Sequence, residues 1–213
     1  MTGLIGTLIV LPSRQWSAFL VVVCFSAGLN VYATVAMLGL LAHAGALSLP
    51  SQLHFAADWY VIGACGILFA AEFIGDKIPV FDLLWNAVHT FVRVPVAAFI
   101  AYAATPTLPA GERLIATLLG GLIALAAHGG KTAARIAVTP SPEPASNFAL
   151  SLSEDAAVVF LTWFATHHPY IAAAIVLVAL AVIVITIRAI WSALSNLFRG
   201  PAATGPTNQQ SPG

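Results

Sequence analysis

Read for its pattern of apolar and polar positions, the chain is a series of long apolar runs separated by short polar or proline-rich joints. No Asp, Glu, Lys or Arg stands between Arg14 and Asp58, a stretch too long for one straight span and interrupted at Ala27-Gly28-Leu29-Asn30. A membrane-crossing helix needs about 20 mostly apolar residues. On that measure span 1 covers roughly Trp16 to Leu47, long, tilted or broken near Gly28–Asn30. Span 2 covers roughly Ala56 to Ile74 and ends in Glu72, Asp76, Lys77 and the breaker Pro79. Span 3 runs from about Leu83 to Ala104 and closes at Thr105-Pro106-Thr107-Leu108-Pro109. Span 4 runs from Arg113 to Val138 with His128, Gly129, Gly130, Lys131 and Arg135 in its second half. Span 5, Phe148 to Thr166, contains Glu154 and Asp155, and span 6 covers Tyr170 to Phe198, uncharged from Ile171 to Ile187.

Composition narrows the class. The 213 residues are 60% hydrophobic and 8% charged, with 8 Lys+Arg against 8 Asp+Glu. Soluble domains carry about 25% charged residues, so a soluble globular domain is excluded. A nucleic-acid binder would need a basic footprint, and a disordered chain low hydrophobicity with high net charge. An all-α integral membrane protein with about six transmembrane helices is the expectation, its solvent the lipid bilayer.

Placing both ends on one side gives that side Arg14, Lys77, Arg93, Lys131, Arg135, Arg188 and Arg199 and leaves the other only Arg113. Lys/Arg excess marks the cytoplasmic side, so the expectation is a multi-pass protein with cytoplasmic termini. Residues 1–15 lack the basic start and cleavage site of a signal peptide and read as an interfacial segment. Residues 16–199 read as one membrane domain, and the Pro/Gly/Ser/Gln-rich stretch 200–213 as a disordered tail. The domain divides into halves 16–104 and 113–198 of three spans each, an arrangement compatible with an inverted 3+3 repeat of the kind transporters use. Each half opens on a span with glycine interruptions, Gly28 in one and Gly120-Gly121 or Gly129-Gly130 in the other. The three prolines of Thr139–Asn147 predict an extended linker or a loop over the cytoplasmic mouth.

Ionisable groups inside spans are expensive and therefore candidate functional groups. Glu72 and Asp76 are spaced i, i+4 and share a helix face. Asp82, Asn86, His89 and Arg93 form one stripe about three turns long. Lys131 and Arg135 repeat the i, i+4 spacing, and Glu154-Asp155 lie within span 5. One account pairs Glu72/Asp76 with Lys131/Arg135 as charges that mark span ends at the cytoplasmic face. The other makes Glu72, Asp76 and Asp82 oxygen ligands or a protonatable site, suited to a hard cation or a proton. In it His89 and Arg93 line the path, and breaks at Asn30 and Gly129-Gly130 expose backbone to a cavity. Glu72 and Asp76 are the candidates if a metal is bound.

His128-Gly129-Gly130-Lys131-Thr132 does not complete a phosphate-binding loop, because Leu125 stands where that pattern needs glycine. His43, His54, His167 and His168 have no metal-ligand spacing and read as interfacial. Cys24 and Cys65 fall within spans and suggest no disulfide. No nucleophile–base arrangement or cofactor fingerprint is visible, so neither an enzyme nor a cofactor is expected. A homo-oligomer is left open.

Several of these clusters carry a resemblance. Ala27-Gly28-Leu29-Asn30, Gly75-Asp76-Lys77-Ile78-Pro79 with Asp82, His89-Thr90 with Arg93, His128-Gly129-Gly130-Lys131, and Ser141-Pro142-Glu143-Pro144 followed by Glu154-Asp155 resemble a family of uncharacterised bacterial membrane proteins over about residues 17–195. That resemblance implies a small polytopic protein of the bacterial inner membrane and no particular activity. Glu72-Phe73-Ile74-Gly75-Asp76-Lys77 is also similar to the Glu-x-Gly-Asp-Lys-Thr/Ser signature of Golgi-type calcium/manganese–proton exchangers. It has one extra residue before the glycine, Ile78 in place of Thr/Ser, and no second copy, the nearest substitute being Glu154-Asp155. The similarity implies cation binding through Glu72 and Asp76. Together these readings favour a small secondary transporter or channel-like module, with a non-transporting scaffold for partners or lipid as the competing class. A transporter places the stripe on a watery cavity, whereas a scaffold pairs it off in a dry interface.

Overall fold

The computed structural model describes residues 13–75, 79–138 and 144–198, and within them all regular structure is helical. Seven α-helices follow in order: α1 Ser13–Leu29, α2 Val31–His43, α3 Trp59–Gly75, α4 Pro79–Ala104, α5 Ala110–Val138, α6 Pro144–His167 and α7 Pro169–Phe198. A short 3-10 helix, Ser51–Ala57, precedes α3. Residues 1–12, Asp76 to Ile78, 139–143 and 199–213 lie outside the description. With them go the proposed N-terminal segment and tail, Asp76 itself, and most of the proline-rich joint.

Four helices contain a stretch long and apolar enough to cross a membrane alone: Ala87–Ala104, Ala110–Arg135, Phe148–His167 and Pro169–Ser192. The 3-10 helix and α3 pass the same test together, bent by 61°. The outer surface is that of a protein solvated by lipid: Leu118 and Leu122 of α5 and Leu177, Val178, Val182 and Ile185 of α7 are all exposed. The chain is an all-helical, multi-pass membrane protein.

The centre of the bundle is α1. It packs against α4, α5, α6 and α7, and Phe19, Val22, Val23, Cys24 and Ala27 are buried around its whole circumference. A helix that is apolar on every side belongs in such a position. Small residues let its neighbours come close, as is usual between helices in lipid. A Cβ built on Gly28 would stand 2.8 Å from the Ala127 Cβ and nearer still to the Ala124 backbone, while one on Gly120 would stand 2.7 Å from the Ala101 Cβ. Gly28→Leu should therefore lower the thermal midpoint of the purified protein, since overpacking costs about 1–3 kcal/mol. Gly63→Ala on α3, with nothing within 4 Å, should leave it unchanged; equal midpoints for the two variants would show that the seam is not close-packed.

The expected interruption of span 1 falls at Asn30. Its backbone is extended, with φ −151° and ψ 104°, which ends α1 and starts α2. Asn30 Oδ1 accepts from Ala33 N at 3.0 Å, the side-chain cap asparagine supplies well, and Thr34 Oγ1 donates to Asn30 O at 2.8 Å.

The second half differs from expectation. Gly120-Gly121 and Gly129-Gly130 do not interrupt α5, which is helical from Ala110 to Val138. The physical reason is packing: Gly120 admits α4, and a Cβ on Gly130 would stand 2.7 Å from Ile183 of α7. The break at Asn30 thus has no counterpart in α5. Pro144–Asn147, expected to be extended, form the first turn of α6. Proline suits that position because the first N–H of a helix has no partner there anyway.

Candidate functional site

Polar side chains from α3, α4, α5 and α6 meet where α1 gives way to α2. Glu72 on α3, Arg93 on α4, Lys131 on α5 and Asn30 are buried, and so are His89, His128, Arg135 and Asp155. Glu72 and Arg93 have no solvent-accessible side-chain surface at all, and Arg93 Nη2 donates to Glu72 Oε1. The second guanidinium nitrogen, Nη1, lies 2.8 Å from His128 Nδ1. Arginine only donates, so His128 Nδ1 accepts and its Nε2–H is left to donate to Thr90 Oγ1, at 2.7 Å. The same logic fixes His89: its Nδ1 donates to Trp85 O at 2.8 Å, so Nε2 accepts from Tyr32 OH at 2.9 Å.

A second group of contacts adjoins the first. Lys131 Nζ is 3.4 Å from Glu72 Oε1, 3.4 Å from Glu154 Oε2 and 3.3 Å from Leu29 O. Arg135 Nη2 reaches Glu154 Oε2 at 3.0 Å. Asn30 Nδ2 donates to Asp155 Oδ1 at 3.0 Å. The two ends of the interrupted helix are met by opposite charges: the lysine ammonium at the carbonyl end of α1 and the Asp155 carboxylate beside the start of α2. Both placements complement the half-helix dipoles.

Of the sequence candidates, Asn30, Glu72, His89, Arg93, Lys131, Glu154 and Asp155 are thus brought into one region. Asp76 lies outside the described residues, and the side chain of Asp82, on α4, does too, so the Glu72–Asp76 and Asp82 ligand sets are undescribed. The expected pairing holds for Glu72 with Lys131; Arg135 contacts Glu154, and the Asp76 half of the expected pairing lies outside the described residues. Lys131 and Arg135 do not behave as solvated span-end charges. They are buried because α5 has 29 residues, about 44 Å of helix at 1.5 Å per residue, so these residues still lie among neighbouring helices. The Gly129-Gly130 backbone stays within the unbroken helix α5. Among the described residues no group of three or more His, Cys, Asp or Glu is gathered to hold a metal ion.

Tyr32, Thr90 and His128 are members of the network that sequence reasoning left out of the candidate site. His128 had a usable signal, since with Lys131 and Arg135 it falls at i, i+3, i+7 on one face of α5. His43 and His54, read as interfacial, contact backbone carbonyls: His43 Nε2 is 2.6 Å from Ala57 O and His54 Nε2 3.0 Å from Leu49 O. Among the described residues the cysteines are free, as expected.

An all-helical membrane protein with a buried, multi-helix charge network at a broken helix is the class these features define. The chain belongs to the family DUF4126, described as a domain of unknown function, which it matches over residues 18–189. No curated protein and no solved structure matches it.

Proposed function

We propose that the chain is a small secondary transporter in which the buried network carries a proton. One observation carries the reading: α1 and α2 are interrupted at Asn30, and charged side chains from α5 and α6 meet the two half-helix ends. Taken as one span, the 17 and 13 residues of α1 and α2 amount to about 45 Å of helix. The hydrocarbon core is about 30 Å thick, so Asn30 falls inside it, near the depth at which transporters built on discontinuous helices bind their ions. Counting this pair as one span gives six, with cytoplasmic termini in a bacterial inner membrane and no enzymatic activity, cofactor or nucleic-acid partner.

The chemistry of Glu72 favours a proton over Ca²⁺ or Mn²⁺. Arg93 and Lys131 already bracket Oε1, and a divalent ion would have to approach against both. Among the described residues Oε2 takes no hydrogen bond although it is buried, which leaves an oxygen on which a proton can sit. The scaffold reading is favoured by a different observation, the buried pairing of the described charges.

Reconstitution into liposomes holding a pH-sensitive dye tests the proposal. The wild type should dissipate an imposed proton gradient, and Glu72→Gln should fall to the level of protein-free liposomes while still inserting and folding. Full flux in Glu72→Gln would reject Glu72 as the proton site. A wild type that moves neither protons, Mn²⁺ nor Ca²⁺ would leave the scaffold reading standing.

A further inference from the structure

The bundle end formed by the α4–α5 and α6–α7 turns carries a ring of aromatic side chains. Trp59 and Tyr60 at the start of α3, Tyr102 near the end of α4, Trp163 near the end of α6 and Tyr170 at the start of α7 are all exposed. Tryptophan and tyrosine gather where the hydrocarbon core meets the headgroups, so this ring marks the depth of that boundary. Among the described residues Arg113 is the one Lys or Arg at its level.

Arg113 is held there in one pose. The turn Thr105–Pro109 brings the start of α5 back over α4, and Arg113 Cζ stands 3.4 Å from the centroid of the Tyr102 ring. Its Nε–H donates to Tyr102 O at 3.0 Å. That carbonyl is open to it because the residue four positions on is Pro106, which has no N–H to close the helical turn. One of the five guanidinium N–H groups is thereby used. Among the described residues Nη1 and Nη2 make no hydrogen bond or ion pair, not even with the exposed neighbour Glu112. That pair of nitrogens is the edge that meets a phosphate with two parallel bonds. Ring and carbonyl already restrict the side chain, so binding costs it little further rotamer freedom.

The surroundings suit an amphiphile. Tyr102, Leu108, Ala110, Arg113, Leu114 and Thr117 line a cavity of about 390 Å³ in which the guanidinium is the one charged group. The Thr117 hydroxyl is committed to Arg113 O, at 2.8 Å. Leu114, Leu118 and Leu122, spaced i, i+4, i+8 on one face of α5, are exposed and lead from the cavity toward the hydrocarbon. A free phosphate would leave this apolar lining unfilled, whereas a lipid sets its phosphate on the cation and a chain along the leucines.

We propose that the α4–α5 turn is a phospholipid site, in which the Nη1/Nη2 edge of Arg113 takes the headgroup phosphate and an acyl chain lies along Leu114, Leu118 and Leu122. The site is separate from the buried network, and the inference does not rest on the transport reading.

The test follows the thermal midpoint of the purified, lipid-stripped full chain in dodecyl maltoside as dioleoyl phosphatidylglycerol is added at rising mole fraction. The wild type should rise saturably. Dioleoylglycerol, with the same chains and no phosphate, should not raise it, nor should glycerol 3-phosphate, which has the phosphate and no chains. Arg113→Gln should raise the half-saturating mole fraction at least about tenfold, since charge-assisted bonds to the phosphate are lost. Arg113→Lys, a point charge without the fork, should fall between the two. Arg188→Ala, which removes an exposed cation far along α7, should behave as the wild type. Equal responses of the wild type and Arg113→Gln would overturn the site, as would a wild-type midpoint that phosphatidylglycerol leaves unmoved. A rise with dioleoylglycerol would mean that chains alone are bound, and a rise with glycerol 3-phosphate that the occupant is a free anion; either overturns the proposal. Should Arg113→Gln not fold, Tyr102→Leu keeps the arginine and removes the ring beneath it, which should weaken the lipid about two- to fivefold. An unchanged half-saturating fraction in that variant would then overturn the site. No reading here involves flux, so a protein that transports nothing leaves the inference intact.

Discussion

Lys131→Glu should remove most of the folded protein. The substitution replaces the ammonium that joins Glu72, Glu154 and the end of α1 with a third carboxylate at the same point. Breaking a buried pair by removing one partner typically costs about 3–5 kcal/mol, and here the new charge also repels both former partners. A native membrane domain has only about 5–15 kcal/mol in hand by analogy with soluble ones, so the monodisperse fraction in detergent should collapse. Adding Glu72→Lys should restore part of it by returning an opposite pair across α3 and α5. The restoration stays partial because the introduced lysine then faces Arg93, and Glu154 faces the introduced glutamate. Equal yields for the wild type, the single and the double variant would mean that these charges are solvated after all.

The Glu72–Lys131 part of that expectation is legible in the chain alone, whereas the contacts of Lys131 with Glu154 and the end of α1 are not. The spans were legible because lipid demands long uncharged runs, and each predicted run, with shifted ends, contains helix: Trp16–Leu47 covers most of α1 and all of α2, and Tyr170–Phe198 nearly all of α7. The break was legible because Gly28-Leu29-Asn30 unites a packing glycine with a good N-cap. Glycine elsewhere misled. In α5 the glycines read as breakers, yet between helices in lipid their small size is what matters, and Gly120 and Gly130 serve close approach to α4 and α7.

Partner choice was the least legible feature. Equal i, i+4 spacings match Glu72 with Lys131, which the bundle does pair, but spacing along a helix says nothing of the partners Arg93 and Glu154 that other helices bring within reach. Arg93, 21 positions after Glu72, reaches it from α4 because its side chain is long. Arg135 meets Glu154, which lies within the apolar stretch of α6, because the 29-residue α5 runs on past the length of a 20-residue span. Depth in the bundle, a tertiary quantity, decided both.

Whether the network exists for stability or for function can be separated by removing charge in pairs. Arg93→Met alone should destabilise by about 3–5 kcal/mol, because it removes from the buried Glu72 one of the two cations that contact it among the described residues. Combining it with Glu72→Leu takes both charges out of the interior and fills the space with apolar atoms. Such replacements are often neutral or even stabilising. The double variant should therefore recover most of the lost midpoint, less the contribution of the Arg93–His128 hydrogen bond, about 1–3 kcal/mol for a group left unsatisfied. Lys131 keeps Glu154 and Leu29 O throughout, so the second ion pair is a built-in control for correct folding. If the stable double variant carries no proton flux while the wild type does, the buried pair is retained for transport and not to hold the helices together. If the double variant is as unstable as Arg93→Met, the Arg93–Glu72 pair is what joins α3 to α4, and the scaffold reading gains the weight that transport loses.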